Sequence, residues 1–319
     1  MVSDGWEKIR MGVSSCLLGN EVRFDGGHKH DRYITSTLGL YFDFVPVCPE
    51  VECGLPIPRE AMRLVGDPEK PRLVTNKTGI DHTEKMQEWA KKRVEQLALE
   101  GLCGFIFKSK SPSSGMERVK VYDANSIPRN VGVGLFARVF QDHFPLLPVE
   151  EEGRLHDMVL RENFIESVFV YKRWRQTLQQ GTPARLVQFH TQHKLLLMAH
   201  SEQIYRQLGK LVGEAGTLDP VEAFEAYQQG LMEAMKIKPT YKSHVNVLMH
   251  MMGFFKKLLT ADEKKELLEV IEKYRHHHLP LIVPVTLINH YARKYQESYL
   301  LEQYYLHPHP TELRLRNHA

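Results

Sequence analysis

The chain has 319 residues, of which 42% are hydrophobic and 25% charged, and it carries a formal net charge of +3. Those values exclude a disordered or fibrous chain and leave room for two domains, each with a buried core. They supply too little net positive charge to imply nucleic acid by itself, and no stretch approaches the ~20 apolar residues of a membrane helix.

The first ten residues are polar and charged, with no apolar run that would serve as an export signal. Four cysteines, Cys16, Cys48, Cys53 and Cys103, therefore point to reduced thiols in the cytoplasm rather than a disulfide framework. Up to about Asp123, short β-rich runs alternate with helical ones. Strands are expected over 9–15, 43–47, 104–108 and 118–122, and helices over 31–40 and 83–100. Three of the strands run into Cys16, into Cys48, and into the segment Lys108 to Gly115. As parallel neighbours, their carboxyl ends would share the edge where open α/β sheets bind ligands.

A bridging helix is expected over 131–144, followed by a linker made of Pro145–Pro148 and Glu150–Gly153. The expected organisation is thus an α/β domain over 1–148, with a mainly parallel, Rossmann-like sheet, and an all-α domain over 149–319. The second domain reads as helices over 157–180, 183–212, 219–236, 240–259, 261–275 and 284–296, with a short segment over 297–306. Within 241–259, Val245, Leu248, Met249, Met252 and Phe255 recur at helical spacing and form a core face. His190, His193 and His200 share one helical face. With no cysteine and no His-Glu-x-x-His pattern beside them, they read as packing or hydrogen-bonding groups rather than metal ligands.

Several residues of the first domain have a plain reading, and some a chemical one beside it. Glu50 is a loop carboxylate that Arg59 can pair with, and Ser111 is a turn residue held extended by the following proline. The Asp25-Gly26-Gly27 turn, with Arg23 beside it, is a simple reversal or a cradle of backbone donors for an anionic group. Lys108 at a strand end suggests an anionic or nucleotide-like ligand. Cys103 precedes its strand and reads as a buried structural cysteine.

Five motifs in order, Ser14-Ser15-Cys16-Leu17-Leu18-Gly19, Val22-Arg23-Phe24-Asp25-Gly26-Gly27, Pro46-Val47-Cys48-Pro49-Glu50-Val51, Gly54-Leu55-Pro56-Ile57-Pro58-Arg59 and Ser111-Pro112-Ser113-Ser114-Gly115, together resemble the thiouracil desulfurase (TudS) family. The resemblance implies a 4Fe-4S cluster held by three cysteines, with one iron open to the sulfur of a thiocarbonyl substrate. Cys16 and Cys48 match two ligand positions. The third, usually Ser-Pro-Ser-Cys-Gly, is Ser114 here, a hydroxyl that binds iron less well than a thiolate. Cys53 follows Cys48 at C-x4-C spacing and is the thiol that could replace it. By the same resemblance Glu50 would prepare water and Ser111 would contact the substrate ring; Arg23, Asp25, Gly26, Gly27 and Lys108 are the candidate substrate contacts by their own chemistry.

Phe189-His190-Thr191-Gln192-His193-Lys194, Met198-Ala199-His200-Ser201 and Pro308-His309-Pro310 resemble the YbgA family, which implies a helical architecture without a chemistry. The expected function is removal of sulfur from a thiolated pyrimidine or related thiocarbonyl compound. The alternative is a non-catalytic binding or regulatory protein that has lost the cluster and holds a small anionic or nucleotide ligand. The expected partners are a small thiolated nucleobase or nucleoside, or a thiolated tRNA presented by the helical domain, with neither membrane nor DNA implied.

Overall fold

The computed structural model describes residues 7–317. The chain divides into two compact units, one ending at Asp157 and one beginning at Met158. Among the described residues, no helix is long and apolar enough to cross a membrane.

In chain order the first unit contains β1 (Ile9–Ser14), β2 (Phe42–Val47), α1 (Pro49–Glu52), β3 (Met62–Val65), β4 (Arg72–Thr75), α2 (Thr83–Leu99), β5 (Phe105–Phe107), β6 (Val119–Tyr122), β7 (Pro128–Gly132), α3 (Leu135–His143) and β8 (Val149–Glu151). Strands β2, β1, β5 and β8 form one sheet in that order, parallel throughout. The register runs from Ile9 against Phe42 to Ser14 against Val47. The expected parallel neighbours are therefore present, with β1 in the middle, because near-continuous apolar runs suit strands buried on both faces.

Phe105 and Phe107 pack against Phe136 and Phe140 of α3 at centroid separations of 4.7 to 6.2 Å, and all four rings are fully buried. Burying each ring contributes about 2–3 kcal/mol and ties α3 to the sheet.

Strands β4, β3, β6 and β7 make a second sheet, in which β3 and β6 are parallel and the outer pairs antiparallel. The run over 118–122 belongs to this sheet rather than to the sheet of the cysteine strands. Its inward residues Leu64, Leu73, Val119 and Val121 pack with Met86 of α2, Leu135 of α3, and Cys53.

Four expectations need correction. The segment read as a linker contains β8, the fourth strand of the parallel sheet: Phe105, Ile106 and Phe107 pair with Val149, Glu150 and Glu151. Its acidic residues look solvated in sequence but are tied by hydrogen bonds. The bridging helix begins only at Leu135, because Pro128–Gly132 pairs with β6. The segment 31–40 is a π turn followed by a 3-10 turn rather than an α-helix. The helix expected over 183–212 breaks at Ser201, whose extended backbone ends one helix and whose hydroxyl caps the next by accepting from the Ile204 N–H.

The second unit is all-helical: α4 (Met158–Gln180), α5 (Pro183–His200), α6 (Glu202–Glu214), α7 (Pro220–Lys236), α8 (Tyr241–Phe254), α9 (Ala261–Arg275), α10 (Ile282–Lys294) and α11 (Ser298–Leu301). Val245, Leu248 and Phe255 are buried as expected, whereas Met249 is 38% exposed and Val247 and Met251 take places in the core. Trp174 of α4 stacks on Tyr227 of α7 at 5.0 Å. His190, His193 and His200 are all buried and hydrogen-bonded, to Tyr227, Arg173 and Glu166 respectively. Glu162, Glu166 and His309 also converge within 4.8 Å, and the Arg316 guanidinium supplies the positive charge there.

Burial holds His190 and His309 down at about 4, and His193 well below its ordinary value. In the unfolded chain these rings titrate near pH ~6.5, so below that pH the unfolded state binds more protons. Their contribution to stability is fully present above about pH 6.5 and is lost as the pH falls toward 4. Acidifying from pH 7.5 to 5 is expected to lower the melting temperature of the helical unit by about 5 °C or more in thermal melts followed by circular dichroism. An unchanged or higher melting temperature at pH 5 would refute this.

Candidate functional site

The carboxyl ends of β1, β2 and β5 converge on one cleft of about 340 Å³, lined by Cys16, Cys48, Glu50, Arg59, Ser111 and Ser114 among others. Each residue reaches it by a short, definite piece of backbone. Cys16 sits in the 3-10 turn Ser15–Leu18 after β1, and its carbonyl accepts from the Lys29 N–H at 2.9 Å. Cys48 caps α1, its N–H donating to Glu52 Oε1 at 2.8 Å, and Glu52 is itself held by Arg93 of α2.

The Ser111–Gly115 loop follows β5 and seats the start of α3. Phe136 N–H donates to Ser113 O at 2.9 Å, and Gly134 N–H to Gly115 O at 2.8 Å. A Cβ on Gly134 would meet the Ser113 carbonyl at 2.5 Å, so only glycine permits this approach.

Glu50 is the hub of the cleft. Its Oε1 accepts from Ser113 Oγ at 2.5 Å, while Oε2 lies 3.6 Å from Cys48 Sγ and 3.7 Å from Arg59 Nη2. Arg59 is anchored in turn on the carbonyls of Val22 at 3.1 Å and Pro56 at 3.4 Å. Ser111 Oγ accepts from the N–H groups of Ser113 and Ser114, and lies 2.9 Å from Ser113 Oγ. Since the Ser113 hydroxyl hydrogen points at Glu50, the Ser111 hydroxyl must donate to Ser113. The result is a directed chain Ser111–Ser113–Glu50 along which a proton can pass.

The two thiols are shaped by burial. Desolvation pushes Cys16 up to about 11, opposed by Lys108, and pushes Cys48 up to about 12, reinforced by Glu50. Both are therefore neutral thiols near neutral pH, and a bound cation is what would stabilise their thiolates. Among the described residues, Cys16 Sγ makes no hydrogen bond, and Cys48 Sγ has only long contacts to Glu50 and to Val22 O at 3.8 Å. The third position of the pattern, Ser114, is buried at the same cleft, its Oγ 3.5 Å from Ser113 Oγ. Two thiols and a hydroxyl lining one cleft suit an iron–sulfur cluster, with one ligand harder than the usual thiolate.

The remaining expected residues divide. Cys53 does not line the cleft. Its Sγ donates to Glu50 O at 3.2 Å, and it packs into the apolar layer between the second sheet and α2, which explains its raised, burial-driven affinity for a proton. Cys103 is 1% exposed and stands outside the cleft, the buried structural cysteine that its position before the strand suggested.

Arg23 and Lys108 line the cleft, but each is ion-paired, Arg23 with Asp25 at 3.5 Å and Lys108 with Glu152. Asp25, Gly26 and Gly27 lie outside the lining and form a turn, in which Gly26 takes φ +77 and Asp25 Oδ1 accepts from Gly27 N–H. The backbone hydrogen bond to Gly27 outweighs desolvation and keeps the Asp25 carboxyl below its ordinary value.

Ser113 and the acidic segment 150–152 were missed by sequence reasoning. Ser113 lies inside the Ser-Pro-Ser motif, where its type alone assigns it no role. Glu152 accepts from Ser109 N–H at 2.6 Å and Ser109 Oγ at 2.8 Å, and Glu151 accepts from Met116 N–H at 2.9 Å, so this segment pins both ends of the serine loop.

Comparison with known proteins divides the chain in the same way. The family model described as 2-thiouracil desulfurase matches residues 11–152, and a model described as a protein of unknown function, DUF1722, matches residues 194–310. The chain is 30% identical over 137 residues, 43% of its length and 81% of the relative, to the uncharacterized protein YbgA of Escherichia coli K12. It is 32% identical over 108 residues, 32% of its length and 71% of the relative, to the uncharacterized protein YbbK of Bacillus subtilis 168. Among solved structures, the [4Fe-4S]-dependent thiouracil desulfidase TudS aligns at 28% identity with a TM-score of 0.39, over 47% of this chain and 95% of that one.

Proposed function

Because the chain belongs to the 2-thiouracil desulfurase family over residues 11–152 and to the YbgA-like DUF1722 family over 194–310, we propose that it removes sulfur hydrolytically from a thiolated pyrimidine base. The observation that carries this reading is the shared cleft of Cys16, Cys48 and Glu50, with Glu50 at the end of the two-serine chain. The overall reaction exchanges C=S and water for C=O and hydrogen sulfide, with no net oxidation or reduction.

Cys16, Cys48 and Ser114 would hold the cluster, which when bound supplies an iron with an open position for a soft thiocarbonyl sulfur. Glu50 takes a proton from water at a carboxylate oxygen, and Arg59 keeps that carboxylate oriented at 3.7 Å. Ser111 and Ser113 carry the proton between Glu50 and the ring nitrogen that must be protonated as the carbon–sulfur bond breaks. Reduced thiols of this kind belong in a reducing compartment, the cytoplasm.

The test is iron, acid-labile sulfide and hydrogen sulfide release from 2-thiouracil, measured on protein purified and reconstituted without oxygen. About four irons per chain together with turnover support the reading. A colourless chain that takes up no iron and releases no sulfide overturns it in favour of the binding-protein alternative.

Glu50→Gln keeps an acceptor for Ser113 but no basic oxygen pair. It is expected to retain wild-type iron content while losing turnover by roughly 10²- to 10⁴-fold. Loss of iron together with turnover would make Glu50 part of the cluster's support instead.

A further inference from the structure

The reaction outlined above makes no use of a cleft that the helical unit has of its own. It opens between α5 and α6 with a volume of about 480 Å³, lined by His190 and Lys194 from α5 and by Tyr205, Arg206, Gly209 and Gly213 from α6, among others. Helical spacing accounts for the convergence: His190 and Lys194 are one turn apart, as are Tyr205, Gly209 and Gly213 in succession. The lining holds two cations and no acid.

His190 gives this cleft a directed hydrogen-bond donor. The residue is 4% exposed, and its Nδ1 lies 3.0 Å from the hydroxyl of Tyr227, which is fully buried. That contact is the hydroxyl's one hydrogen bond among the described residues, so the phenolic hydrogen goes to Nδ1; otherwise it would be buried and unpaired. Burial, reinforced by the Lys194 charge, holds the imidazole down at about 4 and thus neutral near neutral pH. The ring proton is therefore on Nε2, which is buried, has no hydrogen-bond partner and faces Gly209. An N–H left in that position costs about 1–3 kcal/mol, which an acceptor entering the cleft offsets.

Gly209 keeps the approach to that N–H open. It sits in the middle of α6, where glycine costs about 1 kcal/mol against alanine. Packing does not demand it, since an added Cβ would meet nothing closer than His190 Nε2 at 3.6 Å, an ordinary contact. A methyl group there would instead cover the donor. Lys194 forms no ion pair among the described residues. Arg206 pairs with Glu202 of its own helix at 2.6 Å, but both side chains are more than half exposed and such a pair is worth little. The Tyr205 ring lies parallel to His190, with 4° between planes and 6.2 Å between centroids.

A neutral N–H beside two cations, with no carboxylate, selects an oxyanion, and two positive charges favour the dianion of a phosphate monoester over a singly charged carboxylate. The face of Tyr205 suits a flat substituent next to it. We propose that this cleft binds a small, free phosphate monoester bearing a flat ring, with the phosphate on His190 Nε2, Lys194 and Arg206 and the ring against Tyr205. The proposal does not depend on the desulfurase reading of the first unit.

The test is isothermal titration of the full chain with phenyl phosphate, the simplest such monoester, beside inorganic phosphate and a ten-nucleotide oligouridylate. Phenyl phosphate is expected to bind several-fold more tightly than inorganic phosphate. Lys194→Gln is expected to weaken it about tenfold or more. Gly209→Ala is expected to weaken it at least as much while leaving the melting temperature unchanged or raised, because the methyl covers the donor but improves the helix. No binding by the wild type, or equal binding by the wild type and Gly209→Ala, would overturn the proposal. So would inorganic phosphate binding as tightly as the ester, or an oligouridylate that binds more tightly than the ester and weakens in both variants, which would give the cleft to a strand instead.

Discussion

Cys48→Ala is expected to give a folded, colourless protein with no bound iron after anaerobic reconstitution and no release of sulfide from 2-thiouracil. The cleft has two thiols, so removing one leaves a single soft ligand beside a hydroxyl, too few to retain a cluster. Folding should survive, because Cys48 Sγ makes only long contacts and α1 is still capped through the residue 48 N–H and Glu52.

The converse variant sharpens the test. Ser114→Cys places a third thiol at the proposed third ligand position, at a buried site whose hydroxyl has only a 3.5 Å contact to lose. It is expected to hold iron several-fold longer in air than the wild type, read as the decay of visible absorbance. If Cys48→Ala retains iron, the cluster assignment fails. If Ser114→Cys leaves the decay unchanged, residue 114 is not a ligand.

The parallel core of the first unit was legible because its strands are apolar runs that end in chemically distinctive residues, and the edge they share follows from strand order alone. The second sheet was less legible: β3, β4 and β7 are short and carry arginines and a proline, so they read as loop. β8 was hidden by its glutamates. Consecutive acids look solvated in one dimension, yet Glu150 and Glu151 are 6% and 7% exposed because Arg154 and the Met116 N–H meet them.

Of the residues that line the candidate cleft, Cys16, Cys48, Glu50 and Ser111 stand out in the sequence by type and motif. Cys53 looked like a ligand because sequence spacing says nothing about the direction of a side chain, and the turn after α1 aims it into the apolar layer. Net charge is silent about local charge in the same manner. A total of +3 conceals a groove with four cations and no acid, since the balancing carboxylates lie elsewhere on the chain.

The largest stability effect belongs to the helical unit. Arg316 is 4% exposed and donates to Glu166 at 2.9 Å, to Glu162 at 3.2 Å and to the Tyr305 carbonyl at 2.5 Å. Burial alone would raise the Glu166 carboxyl, but the His200 hydrogen bond at 2.7 Å and the Arg316 charge outweigh it and hold Glu166 well below its ordinary value. A carboxyl depressed in this way stabilises the fold above its unfolded value near ~4.3, and the contribution is lost as the pH drops through the lowered one.

Arg316→Met removes one partner of a buried pair and leaves the other charge behind. It is expected to cost about 3–5 kcal/mol and to lower the melting temperature at pH 7 by about 10 °C. Adding Glu166→Gln removes the stranded charge and should recover part of that loss, which a merely bulky effect at residue 316 would not allow. A drop below about 3 °C in the single variant, or no recovery in the double, would show that the pair does not hold the unit together. Arg316, Glu162 and Glu166 all lie outside residues 194–310, so the folding unit extends beyond the DUF1722 match at both ends, and a fragment cut to that match would lack the ion pair that joins its first helix to its last turn.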